Sequence, residues 1–131
     1  MHPRNRILRF LTAGKQTVFK ATPLLEHGHL NLDQYKLIFL GTPVWAGNFS
    51  SPVRSFINYY DFQDKEMALF CTHQGYHSGA LEKLEAELKN RNTTILAKID
   101  LASPEKRHET SLEKEITQYI EQVLNARTNC D

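Results

Sequence analysis

The apolar positions of this chain fall into short runs parted by polar stretches, and their period changes along the chain. Residues 36–40 (KLIFL) form a run that Gly41 closes, the pattern of a parallel strand covered on both faces. Residues 67–72 (MALFCT) and 93–101 (TTILAKIDL) predict two more strands. Between them the period becomes helical. Val53, Phe56, Ile57 and Tyr60 share one face behind the helix-entry pair Ser51 and Pro52, which predicts a helix from Pro52 to about Tyr60. Leu81, Leu84 and Leu88 predict a second helix, capped by Ser78 and broken at 90–92. Leu112, Ile116, Ile120, Val123 and Leu124 predict a final amphipathic helix, with Thr110 and Glu113 spaced as a capping box. Near the start, Ile7, Leu8, Phe10 and Leu11 favour a helix over 5–14 that ends at Gly14, and 17–21 reads as a short strand stopped by Pro23. Residues 24–34, 61–65 and 101–110 are connections. Strands alternating with helices predict an α/β fold: one domain over 1–131 with a parallel sheet and helices on both faces.

Residues 42–48 (TPVWAGN) break the pattern. Pro43 has no N–H to give to a ladder and Gly47 has free dihedrals, so the strand is expected to stop and a loop to follow. That loop carries Trp45 at the carboxyl end of a buried strand, where open α/β sheets bind ligands. Residues 73–77 (HQGYH) form a second loop after the next strand.

At 131 residues the chain is long enough for a core, and its net charge of +1 is spread without a basic stripe, which argues against a nucleic-acid partner. No apolar run is long enough to span a bilayer, so no membrane partner is expected. Residues 7–13 are too short and polar, and interrupted by Arg9, to be a signal-peptide core. Of the two cysteines, Cys71 lies mid-strand beside Ala68, Leu69 and Phe70 and reads as inert core, while Cys130 is at the tail. That usage suits a reduced, cytoplasmic chain. His27 and His29 are too little for a metal site, and His108 sits in a polar connection. Arg54 and the charged run 82–89 read as solvated helical faces.

Over residues 35–57, YKLIFLGTPVWAGNFSSPVRSFI resembles the flavodoxin family's YD-x-I-x-x-G-[ST]-P-V-W-x-G-x-x-x-x-P-[VI]-R-x-F stretch, with Lys36 where Asp is common. The resemblance continues through MALFCTHQG (67–75) and ILAKIDL (95–101). It implies a flavodoxin-like doubly wound parallel sheet in three α/β/α layers, of the short-chain type, with FMN as cofactor. Thr42, Pro43, Val44, Trp45, Ala46, Gly47 and Asn48 would then line one side of the isoalloxazine, and Thr72, His73, Gln74, Gly75 and Tyr76 the other. Trp45 would stack on one flavin face and Tyr76 on the opposite face. Read without the family, Trp45 packs on its own domain, Tyr76 is a half-exposed loop residue and Gly75 is a strand-to-helix turn. His73 and His77 titrate near neutral pH, but a flavin that carries electrons needs no protein base, so no catalytic residue is assigned. The implied function is electron transfer in the cytosol with a redox partner protein. The alternatives are a degenerate or truncated module that binds no flavin alone and acts through a partner, and an NAD(P)H-dependent flavin or quinone reductase, for which no nicotinamide signature is present.

The departure from the family lies at the start. The first strand and the phosphate loop S/T-x-T-G-x-T have no counterpart. The substitute TAGKQT (12–17), behind 6–11 as a strand, leaves too little chain before Lys36 for a crossover of about 10–12 residues and a second strand. The sheet is therefore expected to be N-terminally incomplete. Either the second strand slides across to pair with the third, or another chain (a homodimer mate or a partner) fills the slot, or Met1 is an internal start. The last is favoured because everything after Thr17 is locally consistent with the full fold. At +1 the chain also lacks the strong acidity of most flavodoxins, so docking by charge on a basic partner is not implied.

Overall fold

The computed structural model describes residues 30–75 and 79–130. The helix expected over 5–14, the strand over 17–21, the TAGKQT segment, Tyr76, His77 and the Ser78 cap lie outside the described residues. The elements, in order, are β1 (Leu37–Trp45), β2 (Asn48–Phe49), α1 (Ser51–Tyr59), β3 (Glu66–His73), α2 (Ala80–Lys89), β4 (Thr94–Ala102), a 3-10 turn (Pro104–Lys106) and α3 (Glu109–Cys130). The sheet order is β2-β1-β3-β4, with β1, β3 and β4 parallel and β2 antiparallel to β1.

β1 does not stop at Gly41. It runs on to Trp45 with Pro43 in register opposite Thr72. A missing N–H is harmful only where both sides of a strand are paired. Among the described residues β1 meets β3 on one side, and its other side carries only the two-residue β2, at Val44 and Trp45. Pro43 therefore sits at an edge. Gly41 is there for space rather than for a turn: a Cβ on it would lie 2.1 Å from the Phe70 ring.

Residues 45–48 form a tight hairpin instead of an open loop. Ala46 (φ 48°) and Gly47 (φ 75°) both adopt the left-handed conformation that a two-residue type I′ turn needs. Alanine is disfavoured there by its Cβ. Ala46→Asn, which creates the preferred Asn-Gly pair, is expected to stabilise the domain by about 0.5–1 kcal/mol. Its urea midpoint should rise with an unchanged m-value, and an unchanged or lower midpoint would contradict a type I′ turn.

Two clusters form the core, one on each face of the sheet. Leu40, Met67, Leu69 and Cys71 pack with Phe49, Ile57, Leu81, Leu84 and Leu88 on the α1/α2 face. Ala68, Ala97 and Ile99 pack with Tyr119 and Val123 of α3 on the other. The Tyr119 hydroxyl donates to the Leu69 carbonyl at 2.9 Å, and burial pushes its phenol pKa up.

β4 slips by one residue against β3: Met67 pairs with Ile95 but Ala68 pairs with Ala97. Such a bulge swaps the faces of every later side chain. Ile95 packs on the α1/α2 face and Ala97 on the α3 face, so Lys98 and Asp100 are delivered to the α2 side.

The helices also differ in detail from expectation. Ser50, not Ser51, is the N-cap of α1, with Ser51 inside the first turn. The Ser50 N–H donates to Thr42 Oγ1 at 2.9 Å, which ties β1 to the helix entry. α2 starts behind Gly79 (φ 72°). α3 begins at Glu109, with the His108 carbonyl accepting from Ser111 and Leu112, so Thr110 is a helical residue rather than the cap. Arg54 is buried, only 6 % exposed, contrary to a solvated face. Its guanidinium lies 4.2 Å from the Phe49 ring centroid and 3.5 Å from Glu87 Oε1; the flat, weakly hydrated cation tolerates that cover.

Glu85 likewise leaves the charged face of α2, its side chain being 18 % exposed. Hydrogen bonds from Lys89, at 2.7 Å, and from Lys98 hold its pKa below the usual carboxylate value. A lowered folded pKa makes a contribution that is present above the unfolded value, about 4.3, and is lost as pH falls through the folded one. The stability gap between the wild type and Glu85→Gln is therefore expected to close on acidification below about pH 4. Urea titrations across that range test it, and a constant gap would contradict it.

Candidate functional site

Parallel pairing makes β1 and β3 end at the same edge of the sheet. Pro43 and Thr72 are the last paired residues. Beyond them the chain turns back at Ala46 and Gly47 on one side and bends through Gln74 and Gly75 on the other. A cleft of about 680 Å³ opens between these two turns. Pro43, Val44, Trp45 and Ala46 line it from β1, Thr72, His73 and Gln74 from β3, and Pro104 and Glu105 close a third side. The volume lies within the usual range for small-molecule sites, about 300–1,000 Å³.

The twelve residues expected around a flavin divide accordingly. Seven line the cleft together: Pro43, Val44, Trp45, Ala46, Thr72, His73 and Gln74. Thr42 is buried beneath it, where its hydroxyl accepts from Ser50 N–H. Gly47 and Asn48 turn toward the helical layer. The Gly47 carbonyl accepts from Lys83 Nζ at 2.6 Å, and Asn48 Oδ1 accepts from Phe49 N–H at 2.9 Å. Gly75 sits behind His73, and Tyr76 lies outside the described residues.

Pro104 and Glu105 were missed. The Ser103 N–H donates to the His73 carbonyl at 2.6 Å and draws the 3-10 turn onto the end of β3. A signal was available: Ser103-Pro104 repeats the Ser51-Pro52 helix-entry pair directly after a strand.

His73 is not a loop residue but the last residue of β3, paired with Ala102. Its Nε2 lies against Asp100 Oδ1, and its Nδ1 accepts from Gly75 N–H at 3.0 Å. Cys71, one alternation earlier on the same face, is buried. Burial, with Asp100 and Glu82 nearby, pushes its thiol up to about 12, so it stays protonated and unreactive near neutral pH.

Among the described residues no cluster of His, Cys, Asp and Glu is arranged to hold a metal ion, and no helix is long and apolar enough to cross a membrane.

A family model for flavodoxin matches residues 15–123. Three solved structures share the fold. One is a flavoprotein from Lactobacillus acidophilus NCFM solved in complex with FMN, with a TM-score of 0.52 and 20 % identity over 60 % of this chain and 52 % of that one. The others are proteins named as flavoproteins from Bacteroides eggerthii DSM 20697 (TM-score 0.57, 17 % identity, 91 % of this chain and 69 % of that one) and Bacteroides uniformis ATCC 8492 (TM-score 0.55, 24 % identity, 75 % and 60 %). The chain thus spans about half the length of the Lactobacillus flavoprotein. No curated protein sequence matches it.

Proposed function

The chain belongs to the flavodoxin family, and we propose that its cleft holds the isoalloxazine of FMN for electron transfer with a redox partner protein. The observation that carries this reading is the cleft itself, at the carboxyl ends of β1 and β3 with Trp45 on one wall and Thr72, His73 and Gln74 on the other. The lining suits a flat, largely uncharged ring. Trp45, Pro43 and Val44 offer an apolar surface, and the strand ends bring backbone groups that can fix its polar edge. It does not suit a phosphate. The charged side chain of the cleft lining is Glu105, and no Lys or Arg stands there among the described residues.

A bound flavin supplies the one- and two-electron chemistry. The chain's residues would bind and shield it: Trp45 would cover a ring face and keep water from it, and the two turns would set the width of the slot. With its thiol protonated, Cys71 takes no part.

The test is a visible absorption spectrum before and after adding FMN. Flavin bands that shift, with quenched fluorescence, support the reading; no change at high protein concentration sinks it for this chain. The second reading is a module completed by another chain. It is favoured by the outer edge of β1, which has no strand opposite 37–43 among the described residues. Binding that appears only with dimerisation or an added partner supports it. Turnover with NAD(P)H and a quinone would instead indicate a reductase on the same fold.

A further inference from the structure

One long side of β1 is open. The Glu66 N–H donates to the Lys36 carbonyl at 2.9 Å, and in a parallel ladder this fixes the alternation. Residues 36, 38, 40 and 42 turn their backbone groups toward β3, and Leu37, Phe39, Gly41 and Pro43 turn theirs outward. β2 pairs only with Val44 and Trp45, so among the described residues no strand meets the outward groups of 37–43. Native strand edges are blunted by charge, by proline or by bulges. Residues 37–45 (LIFLGTPVW) hold no ionisable side chain, and Pro43 stands at the far end of the open stretch. The side chains of the outward residues lie on the α3 face, where Phe39 meets the Tyr119 ring edge-on at 6.2 Å. There α3 packs on β3 and β4 and leaves β1 uncovered. A groove of about 250 Å³ runs among Phe39, Phe70, Ile116, Tyr119 and Ile120, with Phe39 46 % and Ile120 42 % exposed. An open edge and an uncovered face therefore meet at Phe39.

We propose that a second copy of this chain docks here, its β1 antiparallel to the first and Phe39 at the two-fold axis. The proposal rests on the second reading of the function, completion by another chain, and gives that chain an identity. The register follows from the outward groups. With Phe39 opposite Phe39 of the second copy, Leu37 stands opposite Gly41 and Gly41 opposite Leu37, and each pair exchanges both of its N–H···O=C bonds. Every outward N–H from 37 to 41 meets an outward carbonyl, while Pro43, with no N–H to give, falls outside the paired stretch. The pairing is self-complementary, as a two-fold interface requires. The two Phe39 rings become cross-strand neighbours on the α3 face, about 5.5 Å apart at Cα, and cover each other. Charge does not oppose the contact, because the paired stretches are uncharged and each chain carries only +1. An unrelated strand would gain the same backbone bonds, but a second copy brings its own open edge and its own exposed Phe39, so one contact covers both.

Sedimentation equilibrium of the full chain is expected to give about twice its 15.1 kDa mass at about 100 µM and dissociation on dilution to about 1 µM, as suits a small interface. Phe39→Lys sets like charges face to face at the axis. It should be monomeric at both concentrations with an unchanged far-ultraviolet circular dichroism spectrum. A cross-link checks the register and decides the matter if Phe39→Lys does not fold. On a Cys130→Ser background, Phe39→Cys should form an intermolecular disulfide under mild oxidation, its Cα separation lying within the usual range of about 4.4–6.8 Å. Leu124→Cys, similarly exposed on α3, should not. A chain that is monomeric throughout overturns the proposal and leaves the edge to another segment of this chain or to a different protein. A folded Phe39→Lys that still dimerises overturns it too, as does cross-linking at Leu124 as efficient as at Phe39. None of these measurements contains flavin, so failure here is told apart from failure of the FMN titration.

Discussion

Phe49→Ala is expected to destabilise the domain by about 3–5 kcal/mol, a large part of the 5–15 kcal/mol typical of a native fold. Phe49 is 1 % exposed, on the short returning strand of the hairpin. Its ring fills the junction of β1, α1 and α2 and lies beneath the Arg54 guanidinium. Truncation leaves a cavity that a type I′ turn and a helix entry cannot easily close. It also takes the aromatic face from a buried cation, which adds about 0.5–2 kcal/mol. Chemical denaturation measures the loss, and Phe49→Leu, which keeps most of the volume, should cost less than half as much. A loss below about 1 kcal/mol for Phe49→Ala would mean that the hairpin does not pack as described. Because β2 pairs with Val44 and Trp45, the same substitution is expected to weaken ligand binding through the displaced hairpin.

Trp45→Ala separates binding from folding. Trp45 lines the cleft from the end of β1 and is only half-buried, so its loss should leave the unfolding midpoint nearly unchanged. Stacking of an aromatic side chain on a heteroaromatic ring is worth about 1–3 kcal/mol by truncation. FMN affinity is therefore expected to fall by about 5- to 150-fold, read from quenching of flavin fluorescence. Trp45→Phe should recover most of it. Unchanged affinity in Trp45→Ala, with the fold intact, would remove the cleft from the flavin reading.

Much of the architecture was legible in the linear pattern. The three apolar runs at 36–40, 67–72 and 93–101 are β1, β3 and β4 in outline, and the helical stripes are α1, α2 and α3, because the period of the apolar positions separates strand from helix; cover on both faces holds for β3, whereas Phe39 of β1 stays 46 % exposed. The two turns that bound the cleft follow those strands, because parallel strands joined by helices must all end at the same edge. What failed was local chemistry judged without neighbours. Pro43 looked like a strand breaker because the rule presumes partners on both sides, and β1 has an edge there. Arg54 looked solvated because its cover comes from Phe49 and Glu87, residues of other elements.

The sequence by itself determined the succession of the longer elements from residue 36 onward, the α/β class and the family, since these rest on period and on a contiguous motif. The tertiary structure alone decided which faces the later side chains of β4 present. One unpaired residue at Leu96 reverses them, and nothing in the run TTILAKIDL marks it. That reversal sets Lys98 against Glu85 and Asp100 against His73. It is why the titratable pair behind the cleft could not be read from spacing: register is a property of two strands together, and a single strand does not carry it.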